Sequence, residues 1–144
     1  MSEITCRLIR HEDYSELHKI RIKVFVDEQH FVEEIDDMDD DCWHALLSVD
    51  GVPAGTARAY FMEDGTCKIG RVAVLPEYRG LHLGQQVMTY LEGEMRKLGA
   101  ERFLVGAQVR ASGFYAKLGY TAHGEEYLDE YCPHINMYKP PFTA

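Results

Sequence analysis

The sequence predicts a fold of the α/β (α+β) class, built on a mixed central sheet with helices on both faces. Three strand-like runs joined by short turns, over residues 43–74, are typical of an antiparallel meander. A segment of helical periodicity then lies between the last of these runs and a further strand-like run, which is the order of a crossover connection. The 144 residues are enough to bury a core, and we expect residues 1–144 to form a single domain.

The first elements follow from local patterns. Loose alternation of apolar and polar residues predicts a strand from Ile4 to Arg10. Asp13 and Glu16 have the spacing of a capping box, so we expect Asp13 to be the N-cap of the next helix. The apolar residues on one face of that helix are Leu17, Ile20 and Val24. The periodicity then stops, and the sequence VFVDEQHFVEEIDDMDDD is predicted to be a long loop with an acidic end.

The remaining elements complete the sheet. The meander consists of WHALLSV, AGTARAYF and CKIGRVAV, separated by the turn sequences DGVP and EDGT. A helix is predicted from Gly84 to Leu98, ended by Gly99. Its apolar stripe consists of Val87, Leu91, Met95 and Leu98. The sequence RFLVGAQ is a further strand, ASGFYAKLG a short helix closed by Gly119, and YTAHGEEYL and HINMYK are the last strands.

Composition and charge limit the function classes. The net charge is −9, but residues 1–65 carry 6 basic and 16 acidic residues, whereas residues 68–117 carry 8 basic and 4 acidic ones. No basic stripe with interleaved aromatic residues favours nucleic acid. No signal peptide or long apolar run is recognisable, so we expect a cytoplasmic protein without a membrane partner. The four cysteines form no CxxC pair, and we expect neither a metal site nor a disulfide framework.

The sequence RGLHLGQQ lies between a strand-like run and the helix predicted from Gly84. The first amides of a helix have no partner within the helix, and the dipole is positive at that end. Such a turn is a potential binding site for phosphate, with Arg79 as a charge-assisted hydrogen-bond donor. Many strand-to-helix turns with two glycines bind nothing, so the turn alone leaves both interpretations open.

A wider pattern favours phosphate. V-A-V-L-P-E-Y-R-G-x-x-x-G is followed about thirty residues later by F-Y-A-K-L-G-Y, and this pair of motifs resembles the GNAT superfamily of acyl-CoA-dependent N-acetyltransferases. The resemblance covers essentially the whole chain and implies the GNAT acyl-CoA N-acyltransferase fold. It also implies acetyl-CoA as co-substrate, with its diphosphate in the turn.

The resemblance implies which residues contact the cofactor. The strand with Val72 to Val74 would splay from its neighbour and bond the pantetheine arm through its backbone. The amides of the turn would hold the pyrophosphate. The implied cofactor-binding residues are Val72, Ala73, Val74, Arg79, Gly80, Leu81, His82, Leu83, Gly84, Gln85, Gln108, Phe114, Tyr115 and Lys117. One departure is His82, where the motif has glycine, although His enters the left-handed region more often than most residues.

The resemblance also implies catalytic roles. Tyr115 matches the family's tyrosine near the cofactor sulfur and would donate a proton to the leaving thiolate. The Val74 backbone N–H would stabilise the oxyanion. Many members have a glutamate on the strand before the turn, but Arg71 lies near that point, so the base comes from elsewhere or is water. The segments VFVDEQ and PHINM resemble the ElaA-like subgroup and favour Glu28 and His134 as bases, with His30 and His44 as further candidates.

The acceptor is less determined. The stretch EEIDDMDDD carries 7 carboxylates in nine positions, which is typical of a solvated loop or of a rim that attracts a cationic amine. We expect a small-molecule or peptide amine. A catalytically weak acyl-CoA-binding sensor or interaction module of the same fold is the alternative function. A metal protein using His30, His44, His123 or His134 is a weaker one, and homodimer formation stays open.

Overall fold

A computed structural model describes residues 2–30, 37–129 and 132–140. In this part of the chain eight strands form one sheet. The strands are β1 (Ile4–Ile9), β2 (Trp43–Val49), β3 (Val52–Phe61), β4 (Cys67–Val74), β5 (Phe103–Gln108), β6 (Thr121–Ala122), β7 (Tyr127–Asp129) and β8 (Cys132–Lys139). The α-helices are α1 (Ser15–Arg21), α2 (Leu83–Lys97) and α3 (Ser112–Lys117), with a π-helical segment at Ile22–Glu28 and 3₁₀ turns at Asp37–Asp41, Pro76–Tyr78 and Val109–Ala111.

The sheet has the order β1-β2-β3-β4-β5-β8-β6, and β7 also pairs with β8. Strands β1 to β4 form an antiparallel series, β4 and β5 are parallel, and β8 is antiparallel to β5, β6 and β7. Helix α2 connects the parallel pair, as such a crossover requires. The predicted fold class, a mixed sheet with helices, is confirmed.

Each face of the sheet packs against one long helical element. Helix α2 buries Val87, Leu91 and Met95 against alternate residues of β2 to β5. On the opposite face α1 and the π-helical segment bury Leu17, Ile20 and Val24 against residues that include Ile9, Leu46 and Ala73. Leu98 departs from the predicted stripe because α2 ends at Lys97 and leaves Leu98 half exposed. Gly99, with φ of 106°, takes the left-handed conformation that ends many helices.

The region after β1 differs from expectation in two ways. Helix α1 begins at Ser15 with Tyr14 as its N-cap, so the predicted N-cap at Asp13 was one residue early, and Asp13 accepts a hydrogen bond from the Ser15 N–H at 2.9 Å. The predicted loop was wrong at its start, since the helix continues as a π-helical segment to Glu28. The buried side chains of Val24 and Phe25 keep this segment on the sheet. Residues 31–36 of the predicted loop lie outside the described residues.

The single strand predicted over residues 120–128 was also wrong. It is divided into β6 and β7, which pair with opposite ends of β8. Gly124 between them has φ of 94°, a conformation that interrupts an extended chain. The division matters for function because it brings β7 back beside His134, opposite Tyr127 in the β7–β8 register.

A buried ionic cluster holds the 3₁₀ turn at Asp37–Asp41 against helix α1 and strands β2 and β3. The carboxylate of Asp39 accepts hydrogen bonds from Arg21 Nη1 at 2.8 Å, Arg58 Nη1 at 2.9 Å and His18 Nε2 at 2.8 Å. His44 Nε2 donates to the Asp39 carbonyl at 2.8 Å. Burial alone would raise the pKa of Asp39, but the hydrogen bonds and charges of Arg21 and its neighbours outweigh it and lower the pKa to about 2.

Replacing Asp39 tests this cluster. Asp39→Asn removes the charge that compensates two buried guanidinium groups, so we expect the free energy of unfolding to fall by about 3 kcal/mol. Because the folded-state pKa of Asp39 is depressed, its stabilisation is complete above the ordinary aspartate pKa and is lost as pH falls towards about 2. Urea unfolding at several pH values measures both effects. The exposed neighbour is the control, and Asp41→Asn should change stability by less than about 0.5 kcal/mol; equal losses would contradict the assignment.

Candidate active site

Strands β4 and β5 separate after a short region of pairing. In the described chain they pair through Cys67–Phe103, Lys68–Leu104 and Ile69–Val105, and then each continues without the other. A bulge in β4 lies at this point. Arg58 of β3 pairs with Gly70, but Thr56, two residues earlier on β3, pairs with Ala73, which is three residues later on β4. Arg71 in the bulge has φ of 51°, which turns the strand. The splay implied by the family resemblance is therefore present.

A cavity of about 680 Å³ opens at the splay. Its walls come from β3, β4, β5, β7 and β8 and from the end of the π-helical segment. Of the site residues expected from sequence, those that line it are Glu28, Val72, Arg79, Gln108, Tyr115 and His134. The fold therefore brings all three proposed catalytic residues and part of the proposed cofactor set to one place.

Other expected residues lie elsewhere. Ala73 is buried towards α1, Val74 packs towards α2, and Leu83 is buried in the core below α2. Lys117 is exposed on α3. The remaining turn residues, Gly80, Leu81, His82, Gly84 and Gln85, surround the start of α2. His44 is fully buried in the Asp39 cluster, and burial lowers its pKa, so its position does not suit the base role considered for it.

The turn before α2 has the backbone conformation that its sequence required. Helix α2 begins at Leu83, one residue earlier than predicted, with His82 as N-cap at φ 59° and ψ 26°. Gly80 has φ of 84°. His82 thus adopts the left-handed conformation of the motif glycine that it replaces. A Cβ on Gly84 would lie 3.1 Å from the Phe114 ring, so this glycine allows α3 to pack on the start of α2.

Arg79 and Glu28 form one ion pair rather than two separate functional groups. The Arg79 Nη1 and Nη2 atoms donate to the Glu28 carboxylate at 2.6 and 2.7 Å, and Nε donates to the Val74 carbonyl at 3.1 Å. The hydrogen bond from Arg79 lowers the pKa of Glu28. A carboxylate held in this way is a weaker base than a free one. The pair also connects the π-helical segment to the turn before α2.

His134 is buried on the wall that β8 contributes. Its Nδ1 lies 2.8 Å from the Cys132 carbonyl, and because a carbonyl only accepts, Nδ1 carries the proton. The neutral ring then has an unprotonated Nε2. The Tyr127 ring stacks on His134 with centroids 5.8 Å apart, and the Tyr127 hydroxyl donates to Asn136 Oδ1 at 3.0 Å. These contacts fix both the tautomer and the orientation of the imidazole.

Tyr115 lies at the cavity wall on α3. Its ring makes edge contacts with Phe114 and Tyr120, with centroid distances of 5.0 and 5.9 Å. Burial raises the pKa of Tyr115, so the phenol stays protonated at neutral pH. Gln108 Nε2 donates to Gln29 Oε1 at 2.8 Å, which joins the end of β5 to the π-helical segment.

Sequence reasoning missed the floor of the cavity. Arg58 and Tyr60 of β3 lie opposite Gly70 and Lys68 of β4, and all four line the cavity. The alternation of these positions with buried Ala57, Ala59, Cys67 and Ile69 was a readable signal, since alternate residues share a face. Gly106 is a second missed position. A Cβ there would lie 2.7 Å from the Tyr127 hydroxyl, so only glycine leaves room for that ring.

The described residues contain neither a metal-binding cluster nor a membrane-spanning helix. Residues 2–30, 37–129 and 132–140 contain no group of three or more His, Cys, Asp or Glu side chains placed to hold a metal ion. Within the same ranges, none of the helices has both the length and the apolar character needed to cross a bilayer.

The splayed parallel pair, the left-handed turn before α2 and the tyrosine at the cavity are the features expected of an acyl-CoA-dependent acyltransferase. Comparison with known proteins agrees. A sequence model described as Acetyltransferase (GNAT) family matches residues 8–120. The chain therefore belongs to the GNAT family of acetyltransferases, a family that uses acyl-CoA and acetylates small amines.

Individual proteins show the same relationship. The Bacillus subtilis protein YyaT is 35% identical over 92% of this chain and 93% of its own length. Escherichia coli ElaA is 28% identical, with a TM-score of 0.83 over 94% of this chain and 99% of its own. An acyl-CoA N-acyltransferase from Pseudomonas aeruginosa is 26% identical, with a TM-score of 0.82 over 96% and 99% of the two chains.

The conformation of His82 gives a testable prediction. A left-handed residue other than glycine costs about 1 kcal/mol or more, and a β-branched side chain is the least tolerated. We expect His82→Gly to retain or raise the melting temperature and His82→Val to lower stability by about 1 kcal/mol or more. Thermal unfolding measures this, and titration with acetyl-CoA shows whether the imidazole contributes to binding. A His82→Val variant as stable as the wild type would contradict the strain.

Proposed function

We propose that this enzyme transfers an acetyl group from acetyl-CoA to a primary amine by direct attack of the amine on the thioester. The observation that carries the proposal is the cavity at the splay, which places the Tyr115 phenol and the His134 imidazole on its walls. A protonated phenol and a neutral imidazole are the two groups that such a transfer needs, one to give a proton and one to take it.

The chain fits the co-substrate at two places. The left-handed conformations of Gly80 and His82 lead into the first amides of α2, which suit a diphosphate. The unpaired edges of β4 and β5 beyond Ile69 and Val105 suit an extended pantetheine arm. When bound, acetyl-CoA supplies an activated acyl group with a thiolate leaving group. We propose the Val74 N–H as the oxyanion donor, on the family resemblance.

The chain's own groups complete the proton balance. His134 Nε2 takes a proton from the attacking amine as the new C–N bond forms. Tyr115 donates its phenolic proton to sulfur as the C–S bond breaks. The products are the N-acetylated amine and the free thiol, and the proton on His134 passes through solvent while Tyr115 is reprotonated. No oxidant or metal is needed for this balance.

Of the two proposed bases, His134 is the better supported. Glu28 is held by two hydrogen bonds from Arg79, which stabilise its charged, proton-free form and reduce its basicity. His134 has its Nδ1 proton bound to a backbone carbonyl, which leaves Nε2 to accept a proton. We therefore assign the base role to His134. Glu28 is assigned a positioning role, in which it holds Arg79 and the turn before α2.

One observation favours the alternative of a catalytically weak acyl-CoA-binding module. The Arg79–Glu28 pair binds the turn to the π-helical segment and ties up one of the two candidate bases. Thiol release from acetyl-CoA with a panel of amines, measured beside thermal stabilisation by acetyl-CoA alone, separates the two functions. Stabilisation without thiol release from any amine would support the module and overturn the enzyme mechanism.

Removing one hydroxyl tests the acid. Tyr115→Phe keeps the ring and its edge contacts but loses the proton donor, so we expect kcat to fall by about 10²-fold with little change in the Kd of acetyl-CoA. Steady-state thiol release and calorimetric titration measure the two quantities. Tyr120→Phe is the matched control, because Tyr120 donates to Glu92 in the core, and it should lose stability while keeping turnover. Unchanged turnover in Tyr115→Phe would contradict the acid role.

A second pair of variants distinguishes the bases. His134→Ala should lower kcat by about 10²-fold, and added imidazole should restore part of it, because a free imidazole replaces the missing acceptor. A purely structural loss would show no such rescue. Glu28→Gln keeps one hydrogen bond to Arg79 and should leave kcat within a few-fold of wild type. A larger kcat loss in Glu28→Gln than in His134→Ala would assign the base to Glu28 instead.

A further inference from the structure

The floor of the cavity lies on the side of the sheet away from α2. Arg58, Tyr60, Lys68 and Gly70 share that face, while the residues between them are buried under α2. The phosphate-binding turn is at the start of α2. The floor therefore belongs to the acceptor half of the site rather than to the part that would hold the nucleotide.

The charges that line the cavity as a whole are mainly positive. Of the described lining residues, five are Arg or Lys and two are Asp or Glu. Arg79 is paired with Glu28, and Arg58 with buried Asp39. Arg71 and Arg110 also line the cavity, and each has an interaction of its own. The remaining lining charges are Lys68 and Asp129. A second positive charge on the acceptor would be repelled here.

Lys68 is the member of this set that stands out. Its side chain is half buried on the cavity floor, yet within the described ranges it has neither a hydrogen bond nor an ion pair. Arg58 on the same face has Asp39, and Arg110 donates from Nε to Gln108 Oε1 at 2.7 Å. A lysine on a cavity floor that has no counter-charge leaves its ammonium group able to bind an anionic ligand.

In its described part, the acidic stretch considered as a rim for a cationic amine offsets the charge of Arg58 through Asp39. Asp39 is buried in the ionic cluster, and Asp40 accepts a hydrogen bond from the Tyr14 hydroxyl at 2.9 Å. Of the described residues of this turn, Met38 lines the cavity. Residues 33–36 of the stretch lie outside the described residues.

We propose that the acceptor carries an anionic group on the same molecule as its amine, and that Lys68 binds this group. The inference rests on the proposed transfer to an amine and names the class of acceptor. Lys68 lies on the paired part of β4, one residue before Ile69, where the pairing with β5 ends, so it is next to the start of the splay. A flexible chain of a few carbons between the amine and the anion would let both groups bind within the one cavity. A carboxylate and a phosphate-type group share the required chemistry.

Matched acceptors test the class. We would measure kcat/KM for 4-aminobutyrate, butylamine and 1,4-diaminobutane, which share the amine and the chain and differ in the far group. The proposal predicts that 4-aminobutyrate exceeds 1,4-diaminobutane by about tenfold or more, with butylamine between them. 3-Aminopropylphosphonate is the fourth arm, and its rate relative to 4-aminobutyrate shows which kind of anion the site prefers. A preference for the diamine would overturn the proposal.

Variants assign the effect to the residue. Lys68→Met keeps the apolar length of the side chain and should reduce the preference for 4-aminobutyrate over butylamine to near unity, through KM rather than kcat. Lys97→Met removes an exposed lysine at the far end of α2 and should leave the preference unchanged. Loss of the preference in both variants, or in neither, would contradict the role of Lys68.

A binding measurement separates this inference from the proposed function. In the presence of coenzyme A, N-acetyl-4-aminobutyrate should bind more tightly than N-acetylbutylamine to the wild type but not to Lys68→Met, as measured by titration calorimetry. This comparison needs no turnover. If no amine releases thiol but the anionic product binds selectively, the proposed function fails and the anion site stands. If thiol is released and neither rate nor binding favours the anion, the anion site fails alone.

Discussion

The short parallel pairing of β4 with β5 is the constraint on which the site depends. Three residue pairs hold the strands together, and the bulge at Arg71 then directs β4 away. At the gap, both strands expose backbone N–H and C=O groups that the neighbouring strand does not pair. Leaving such groups without a hydrogen bond is unfavourable, so they favour binding of water or a ligand. The gap is kept open from both sides, because α2 and α3 meet at Gly84 and Phe114 on one face while β7 and β8 place Tyr127 over Gly106 on the other.

The Asp39 cluster gives rigidity to the side of the cavity that contains Arg58 and Met38. It joins α1 through Arg21, β3 through Arg58 and β2 through His44 to one short turn. That turn carries Met38, and Arg58 lies on the cavity floor, so a buried charge network positions two walls of the site at once. Such networks are expensive to break because each lost partner leaves an uncompensated charge in the interior. The wall therefore has a fixed position even before a ligand binds.

Sequence reasoning succeeded where a local pattern has one physical solution. The meander and the helix between β4 and β5 followed from alternation, periodicity and the glycines at turns. It failed where tertiary contacts decide. The π-helical segment forms because Val24 and Phe25 are buried against the sheet, and its last turn brings Glu28 to Arg79. The family resemblance implied roles for both residues, but it assigned Glu28 to catalysis and Arg79 to cofactor binding rather than to one ion pair.

The cavity floor shows a different kind of limit. Arg58, Tyr60 and Lys68 were visible as polar residues in alternating strands, but alternation alone does not distinguish a solvent face from a cavity. The distinction requires knowing that α1 covers only part of that face. The same applies to Tyr127, whose role depends on the return of β7 to β8.

The position of β8 has a consequence for how the molecule is made. This strand is the last of the described strands along the chain, yet it lies inside the sheet between β5 and β6 and also pairs with β7. A nascent polypeptide emerging from the ribosome therefore has β5 with an open edge until residues 132–139 have been synthesised. The imidazole of His134 arrives with that strand, so incomplete chains hold most of the part proposed to bind the nucleotide but lack one wall of the cavity.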